Sequence, residues 1–183
     1  MNPRPTAPCV DSLQDFLSGR PIPNRGAEAN RQAVLRHLVE VKGYAPDGLR
    51  ADVPLQSLID GQPYVSKIDV LVIEATRGIW ALAIKCVAGS LGSWEREALA
   101  AARILRPDYQ IPLSAVSDGK DAVVLDTTTG RKVGFGLEAI PSRRDLERLL
   151  GGITLKPYPP ERLEREKLIF RTYDVMNVNR RPS

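Results

Sequence analysis

The sequence predicts an α/β sandwich built around a central mixed sheet, and three observations carry this expectation. Apolar alternation with a period of two comes in two runs, over 50–87 and again over 111–136. Stretches with helical periodicity precede, separate and follow those runs. The 183 residues are 43% hydrophobic and 26% charged, an ordinary globular composition with enough apolar material for one sizeable core.

The elements follow in order. Residues 1–24 are rich in Pro and Gly, with one short amphipathic piece, "DSLQDFLSG", and read as an arm or lead-in helix. A helix is predicted over 27–42, where Val34, Leu35, Leu38, Val39 and Val41 form an apolar stripe and "KGYAPDG" ends it. "RADVPLQSLI", 50–59, reads as a first strand and 61–63 as a turn. Strands at 66–73 and 79–87 follow, divided by "EATRG". Over 93–106 Ser93 suits an N-cap, Glu95 and Glu97 the first turn, and Pro107 the stop of a second helix. "IPLSAVSDG" and "DAVVLDTTTGRKVGFG" give two or three further strands, the last pair closed at "TTTG". A helix begins behind Ser142 and runs to Leu150, and a basic amphipathic helix covers 160–171 before the tail "NVNRRPS". The expected division is an α/β domain over 25–155 and a helical extension over 156–183, with no internal repeat.

The totals exclude several function classes. Lys and Arg number 26 against 22 Asp and Glu, a net charge of +4 that is compatible with a nucleic-acid partner without requiring one. His37 is the only histidine, which removes His-based triads and the usual zinc sites. The two cysteines, Cys9 and Cys86, have neither metal-ligand spacing nor a disulfide framework, as expected for a reducing compartment. No apolar run approaches the ~18 residues of a membrane span, and the N-terminus lacks a signal-type apolar core. A soluble, cytoplasmic protein with no membrane partner is expected.

The chemistry-bearing residues lie in "KIDVLVIEATRGIWALAIKCVAG". Strict alternation puts Asp69, Leu71 and Ile73 on one face of their strand, and Ile68, Val70 and Val72 on the other. On the next strand Ala81, Ala83, Lys85 and Val87 oppose Trp80, Leu82, Ile84 and Cys86. Burying a lone Asp or Lys is expensive, so Asp69 and Lys85 are expected to face each other across neighbouring strands. Glu28 starts the helical stripe that carries Leu35 and Val39; it either reaches the sheet edge or merely complements the helix N-terminus. Carboxylates on adjoining elements can hold Mg²⁺, with a lysine aiding the nucleophile and transition state. The plainer alternative is an Asp–Lys pair that satisfies a half-buried sheet.

"EANRQAVLRHLVEVKGYAPDGLRADVPLQ" followed by "SKIDVLVIEATRGIWALAIKCVAG" resembles the N-terminal nuclease domain of type I restriction enzyme R subunits and its standalone relatives, in the restriction-endonuclease-like PD-(D/E)xK superfamily. The shared order is a helix with Glu and Arg, an "L…GY" stretch, a strand ending at Asp and a strand of Ile-Glu-Cys-Lys type. "SDG" at 117–119 stands where the family has a "TNG"-like turn, so the resemblance runs from Ala27 to Gly119. It implies a restriction-endonuclease-like fold, Glu28 and Asp69 as metal-binding acids, Lys85 as catalytic lysine and Mg²⁺ as cofactor. The partners it implies are double-stranded DNA and restriction-system subunits.

The sequence departs from that pattern at the third element. In one register Lys85 is the family lysine and Ala83 stands in the acid's slot. In the other Lys85 holds the acid's slot and Val87 the lysine's. The helix that should carry Gln and Tyr offers Glu97 and Ala101, and Glu95 or Glu97 is a candidate replacement acid. The expectation is a nuclease-related domain with a degenerate metal site, retained for DNA binding or assembly. Beside it stand an active Mg²⁺-dependent DNA endonuclease with a relocated acid, and an interaction or regulatory protein without nucleic-acid binding.

The remaining candidates have plainer readings. Trp80, Trp94 and Tyr109 could stack on bases but suit a core equally well. Arg143, Arg144, Arg148, Arg162, Arg165, Lys167 and Arg171 could contact phosphates. The interspersed Asp145, Glu147, Glu161, Glu164 and Glu166 make a solvated face with pairs along the helix the expected arrangement. The glycines of "TTTGRKVGFG" mark a hairpin and not a phosphate loop.

Overall fold

The computed structural model describes residues 11–176; the Pro-rich start with Cys9 and the "NVNRRPS" tail lie outside them. Where the sequence suggested a lead-in helix, the chain forms a small antiparallel sheet of β1 (Ser12–Gln14) and β2 (Pro21–Pro23). Pro21 and Pro23 lack an N–H, which suits a short edge strand and opposes a helix. Asp15 closes the intervening turn by accepting from the Ser18 N–H at 2.9 Å and its hydroxyl at 2.6 Å.

The expected helix follows as α1 (Glu28–Glu40), with Val34, Leu35 and Leu38 fully buried, while Val41 falls past its end and is 66% exposed. The main sheet is made of β3 (Leu49–Ile59), β4 (Gln62–Glu74), β5 (Ile79–Cys86), β6 (Leu113–Ser117), β7 (Ala122–Asp126) and β8 (Lys132–Phe135). These six strands stand in chain order across the sheet. Every neighbouring pair is antiparallel except β5–β6, which is parallel and needs a crossover. That crossover is α2 (Glu95–Ile104). Two more helices follow, α3 (Arg143–Gly151) and α4 (Pro160–Asp174).

Helices cover both faces, which makes the molecule an α/β sandwich with a mixed sheet. α1 and α3 pack Val34, Leu35, Leu38, Leu146 and Leu150 on Val70, Val72, Leu82, Ile84, Ala115 and Val124. α2 and α4 pack Ala100, Ala101, Ala102 and Phe170 on Val53, Leu55, Ile68, Leu71 and Ala83.

Three local details depart from the sequence reading. The β3–β4 connection is a two-residue turn at Asp60 and Gly61, with φ of 52° and 71°, so Gln62 and Pro63 already belong to β4. Two successive positive φ angles match the right-handed twist of the strands, and Asp-Gly is the dipeptide that tolerates them. Ser93 does not cap α2. It lies in a 3₁₀ turn, Leu91–Trp94, which runs directly into the helix and leaves no extended residue from which a hydroxyl could reach back. Ser142 does cap α3, accepting from the Asp145 N–H at 3.2 Å.

The third departure concerns the faces. The β3–β4 ladder skips Asp52 and Asp69, and Asp52 is left-handed at φ 53°. Beyond this break the hairpin turns toward α2 and α4, so Ile68 packs with Leu71 and Ala83 instead of with Val70 and Val72. Alternation presumes an unbroken pleat; a left-handed residue rotates the strand beyond it.

Candidate functional site

Asp69 lies at the point where the β3–β4 ladder is interrupted and the regular β4–β5 pairing has ended, the last pair being Val70 with Ile84. With the β4–β5 pairing ended at Val70, the Cys86 N–H is left without a main-chain acceptor on β4. The Asp69 carboxylate supplies one: its Oδ2 accepts from Cys86 N at 2.8 Å. The side chain is thereby fixed against the end of β5, at the residue next to Lys85.

Lys85 and Asp69 line one cavity with Ala83, Glu97, Ala101 and Phe170. Its volume is about 10 Å³, room for about one water molecule. Lys85 does not make the expected ion pair with Asp69. Its Nζ donates to Glu97 Oε1 at 2.7 Å, with the two side chains 9% and 3% exposed. The reason is reach: four methylenes carry the ammonium past the short aspartate to α2, while Asp69 turns to the Cys86 amide. The ammonium also stands 5.8 Å from the centre of the Trp94 ring. Glu97 Oε2 is buried and has no hydrogen-bond partner.

The electrostatics of the three groups are coupled. Burial raises the pKa of Asp69, outweighing the opposing charge of Lys85 and the Cys86 N–H. Burial raises that of Glu97 as well, against the pull of Lys85. Burial works to lower the pKa of Lys85, but Asp69 and then Glu97 outweigh it, so the ammonium is held above its ordinary value. One ammonium between two carboxylates leaves one negative charge uncompensated, and both acids register it.

Glu28 is placed elsewhere. Its Oε1 accepts from Arg31 Nε at 3.0 Å, Arg31 Nη2 at 2.8 Å and Gln32 Nε2 at 2.7 Å. Arg31 continues to Asp52 at 2.7 Å, and Lys67 also pairs with Asp52. Glu28 thus belongs to a network across α1 and the hairpin break, and it is not among the residues lining the cavity. Glu95 faces β8, where Lys132 holds it at 2.8 Å. Of the acids named from the sequence, the structure brings Asp69 and Glu97 together with Lys85.

Mg²⁺ demands near-octahedral oxygen coordination and keeps several waters. Asp69 has one oxygen committed to Cys86 and Glu97 one to Lys85, an ammonium lines the cavity, and there is little room for water. So placed, these residues do not fit the ion. Among the described residues no three His, Cys, Asp or Glu side chains gather as metal ligands.

The site also has contributors that sequence reasoning missed, both on α4. Phe170 lines the cavity, and Asp174 accepts from Tyr64 Oη at 2.6 Å and Ser66 Oγ at 2.8 Å on β4. Glu166 is not the solvated residue expected: 2% exposed, it takes a bidentate bond from Arg96 at 2.6 and 2.7 Å, and bonds from Arg103 at 3.0 Å and Tyr158 at 3.1 Å. The available signal was the spacing of four between positions 166, 170 and 174, which puts them on one helical stripe. The local pairs expected along the helices do form, Arg143 with Glu147 and Lys167 with Glu164. Trp80 and Tyr109 are tied together, the Tyr109 hydroxyl accepting from Trp80 N at 2.9 Å while Arg106 lies about 5 Å from both rings.

Among the described residues no helix is long and apolar enough to cross a membrane. Comparison with curated proteins and with solved structures gives no match. A family model does match, over residues 26–141, a span that holds α1, the whole main sheet and α2 and stops short of α3 and α4. Its description is type I restriction enzyme R protein N terminus.

Proposed function

The chain belongs to the type I restriction enzyme R protein N-terminal family, and from that membership we propose that it is a nuclease-related domain which binds DNA without cutting it. The observation that carries this reading is the Lys85–Glu97 pair. An ammonium of the chain itself, held at 2.7 Å by a buried acid and beside Asp69, supplies the positive charge that a divalent ion would bring. Ala83 contributes only a methyl group to the same cavity, so the second strand acid is missing. Breaking a buried pair leaves an unpaired charge, so the lysine has no low-energy way to vacate the site for a metal.

The test is direct. Supercoiled and linear duplex DNA incubated with the protein in Mg²⁺ or Mn²⁺ should remain intact. Cleavage that Asp69→Ala abolishes would sink the proposal. Binding should appear in titrations at low salt and fall steeply as salt rises, because phosphate contacts release counterions. No binding even at low salt would point instead to a role in assembly with restriction-system subunits, or to an interaction protein.

One observation favours a second reading, a Mg²⁺-dependent endonuclease with a relocated acid. Glu97 Oε2 is buried, unpartnered and on the cavity that holds Asp69. Under this reading Glu97→Gln and Asp69→Ala would both abolish cleavage. Under the first, Ala83→Glu is the informative change: gained metal binding would assign Lys85 to the family lysine, and none would leave it in the acid's slot.

A further inference from the structure

The polar clamps of α4 form a pattern that the Asp69 site does not explain. α4 lies outside the family match and is joined through 152–159, a largely exposed stretch without regular structure that contains Pro157 and Pro159. Its buried residues are Glu166, Phe170 and Asp174, two acids and one phenyl ring, whereas α1 buries Val34, Leu35 and Leu38 with one charged residue, Arg31. Charge and hydrogen bonding therefore join the packing of Phe170 and the partly buried Ile169 in holding it in place.

The groups that α4 engages stand on both sides of the cavity. On α2, Arg96 and Arg103 flank Glu97 and Ala101, which line it; on β4, Tyr64 and Ser66 lead into Lys67 and Asp69, which also line it. The Arg96 fork grips both Glu166 oxygens, a geometry that serves a phosphate as well as a carboxylate. Tyr64 and Ser66 offer hydroxyl donors to Asp174. Between the two acids Phe170 meets Tyr64 edge-on, with ring centroids 6.2 Å apart, and lines the cavity. Glu166 and Asp174 are eight residues apart, about 12 Å along a helix axis. Three to four nucleotides of a strand rise by roughly the same distance.

We infer that α4 is a displaceable acidic cover, whose Glu166 and Asp174 carboxylates occupy the donors that would otherwise contact the phosphates of a polyanion crossing the Asp69 site. The identity of that polyanion as DNA rests on the reading proposed above. An exposed pair, Arg171 with Asp60 at 2.7 Å, latches the end of the helix to the tip of the β3–β4 hairpin. When the cover lifts, Arg96 and Arg103 become a cationic edge beside Asp69.

The experiment uses the full chain and two variants that release α4 by different means. Glu166→Gln/Asp174→Asn removes the acids, and Leu168→Pro breaks the helix while leaving both acids and both arginines in place. Hydrogen exchange reports whether the α4 amides open while the sheet amides stay protected. Fluorescence anisotropy then measures binding of a labelled duplex and, by competition, of inorganic polyphosphate. Each released variant should bind at least about tenfold more tightly than the unmodified chain at low salt, with a steeper salt dependence. Adding Arg96→Gln and Arg103→Gln should erase the gain. No gain in either variant while α4 is open overturns the inference, as do α4 amides that stay closed in both. If the unmodified chain already binds DNA with a salt dependence that release does not change, the cover falls and the DNA-binding reading stands. A gain for polyphosphate without one for duplex keeps the cover and removes DNA as its competitor.

Discussion

Lys85 has two chemically different neighbours, and single substitutions separate them. Lys85→Met strands Glu97, already lacking a partner on Oε2, in a buried position. The expected loss is about 3–5 kcal/mol by denaturant unfolding at neutral pH. Lys85→Met/Glu97→Leu, which removes both charges, should restore most of it. Asp69 behaves in the opposite way. A carboxyl whose pKa folding raises keeps its proton longer in the folded chain than in the unfolded one. Its contribution to stability is complete below the ordinary aspartate value of 3.8 and is lost as pH rises through the folded value. Asp69→Asn retains an acceptor for the Cys86 N–H, so at pH 7 it should be more stable than the unmodified chain by about 1 kcal/mol. The advantage should vanish in melts below the ordinary aspartate value.

At the scale of elements, α4 is the part whose docking depends on ionisation. Burial works to raise the pKa of Glu166, but the bonds from Arg96 and Arg103 outweigh it and hold the value down. A lowered acid stabilises above the ordinary glutamate value of 4.5, and that contribution is lost as pH falls through the folded value. Acidification should therefore loosen α4 before the sheet, seen as faster exchange of the 160–174 amides, and Glu166→Gln should remove the pH dependence. The strands and their succession along the chain were legible because each is a short apolar run between turn residues. The hairpin break was not: nothing in "RADVPLQSLI" marks Asp52 as left-handed, since its conformation answers to Arg31 and Lys67 from other elements. Ser93 misled for a related reason, as the 3₁₀ turn before α2 takes the residue that propensity assigns to the cap.

Across the whole molecule, the sheet and α1 are held in register at the "SDG" turn. Gly119 has φ of 85°, and a Cβ there would lie 3.0 Å from the Asn30 backbone on α1. Nearby, Asn30 Nδ2 donates to Val87 O at 2.6 Å, tying α1 to the end of β5. Gly119→Ala combines a left-handed conformation with a backbone clash and should lower stability by about 2 kcal/mol or more, measured by thermal or denaturant unfolding. The sequence by itself determined the α/β class, the succession of strands and helices along the chain, the family motif and the absence of an acid at Ala83, because these derive from periodicity, turn chemistry and residue identity. It also set out the competing registers for Lys85 and the choice between Glu95 and Glu97. Only the tertiary structure decided that Lys85 pairs with Glu97 and not with Asp69, that Glu28 turns to Arg31, and that Phe170 of α4 lines the site. Those outcomes depend on which charged groups come within a few ångströms of one another. Such distances are set by how helices pack on a sheet, and residues as far apart in the chain as Asp69 and Phe170 meet only there.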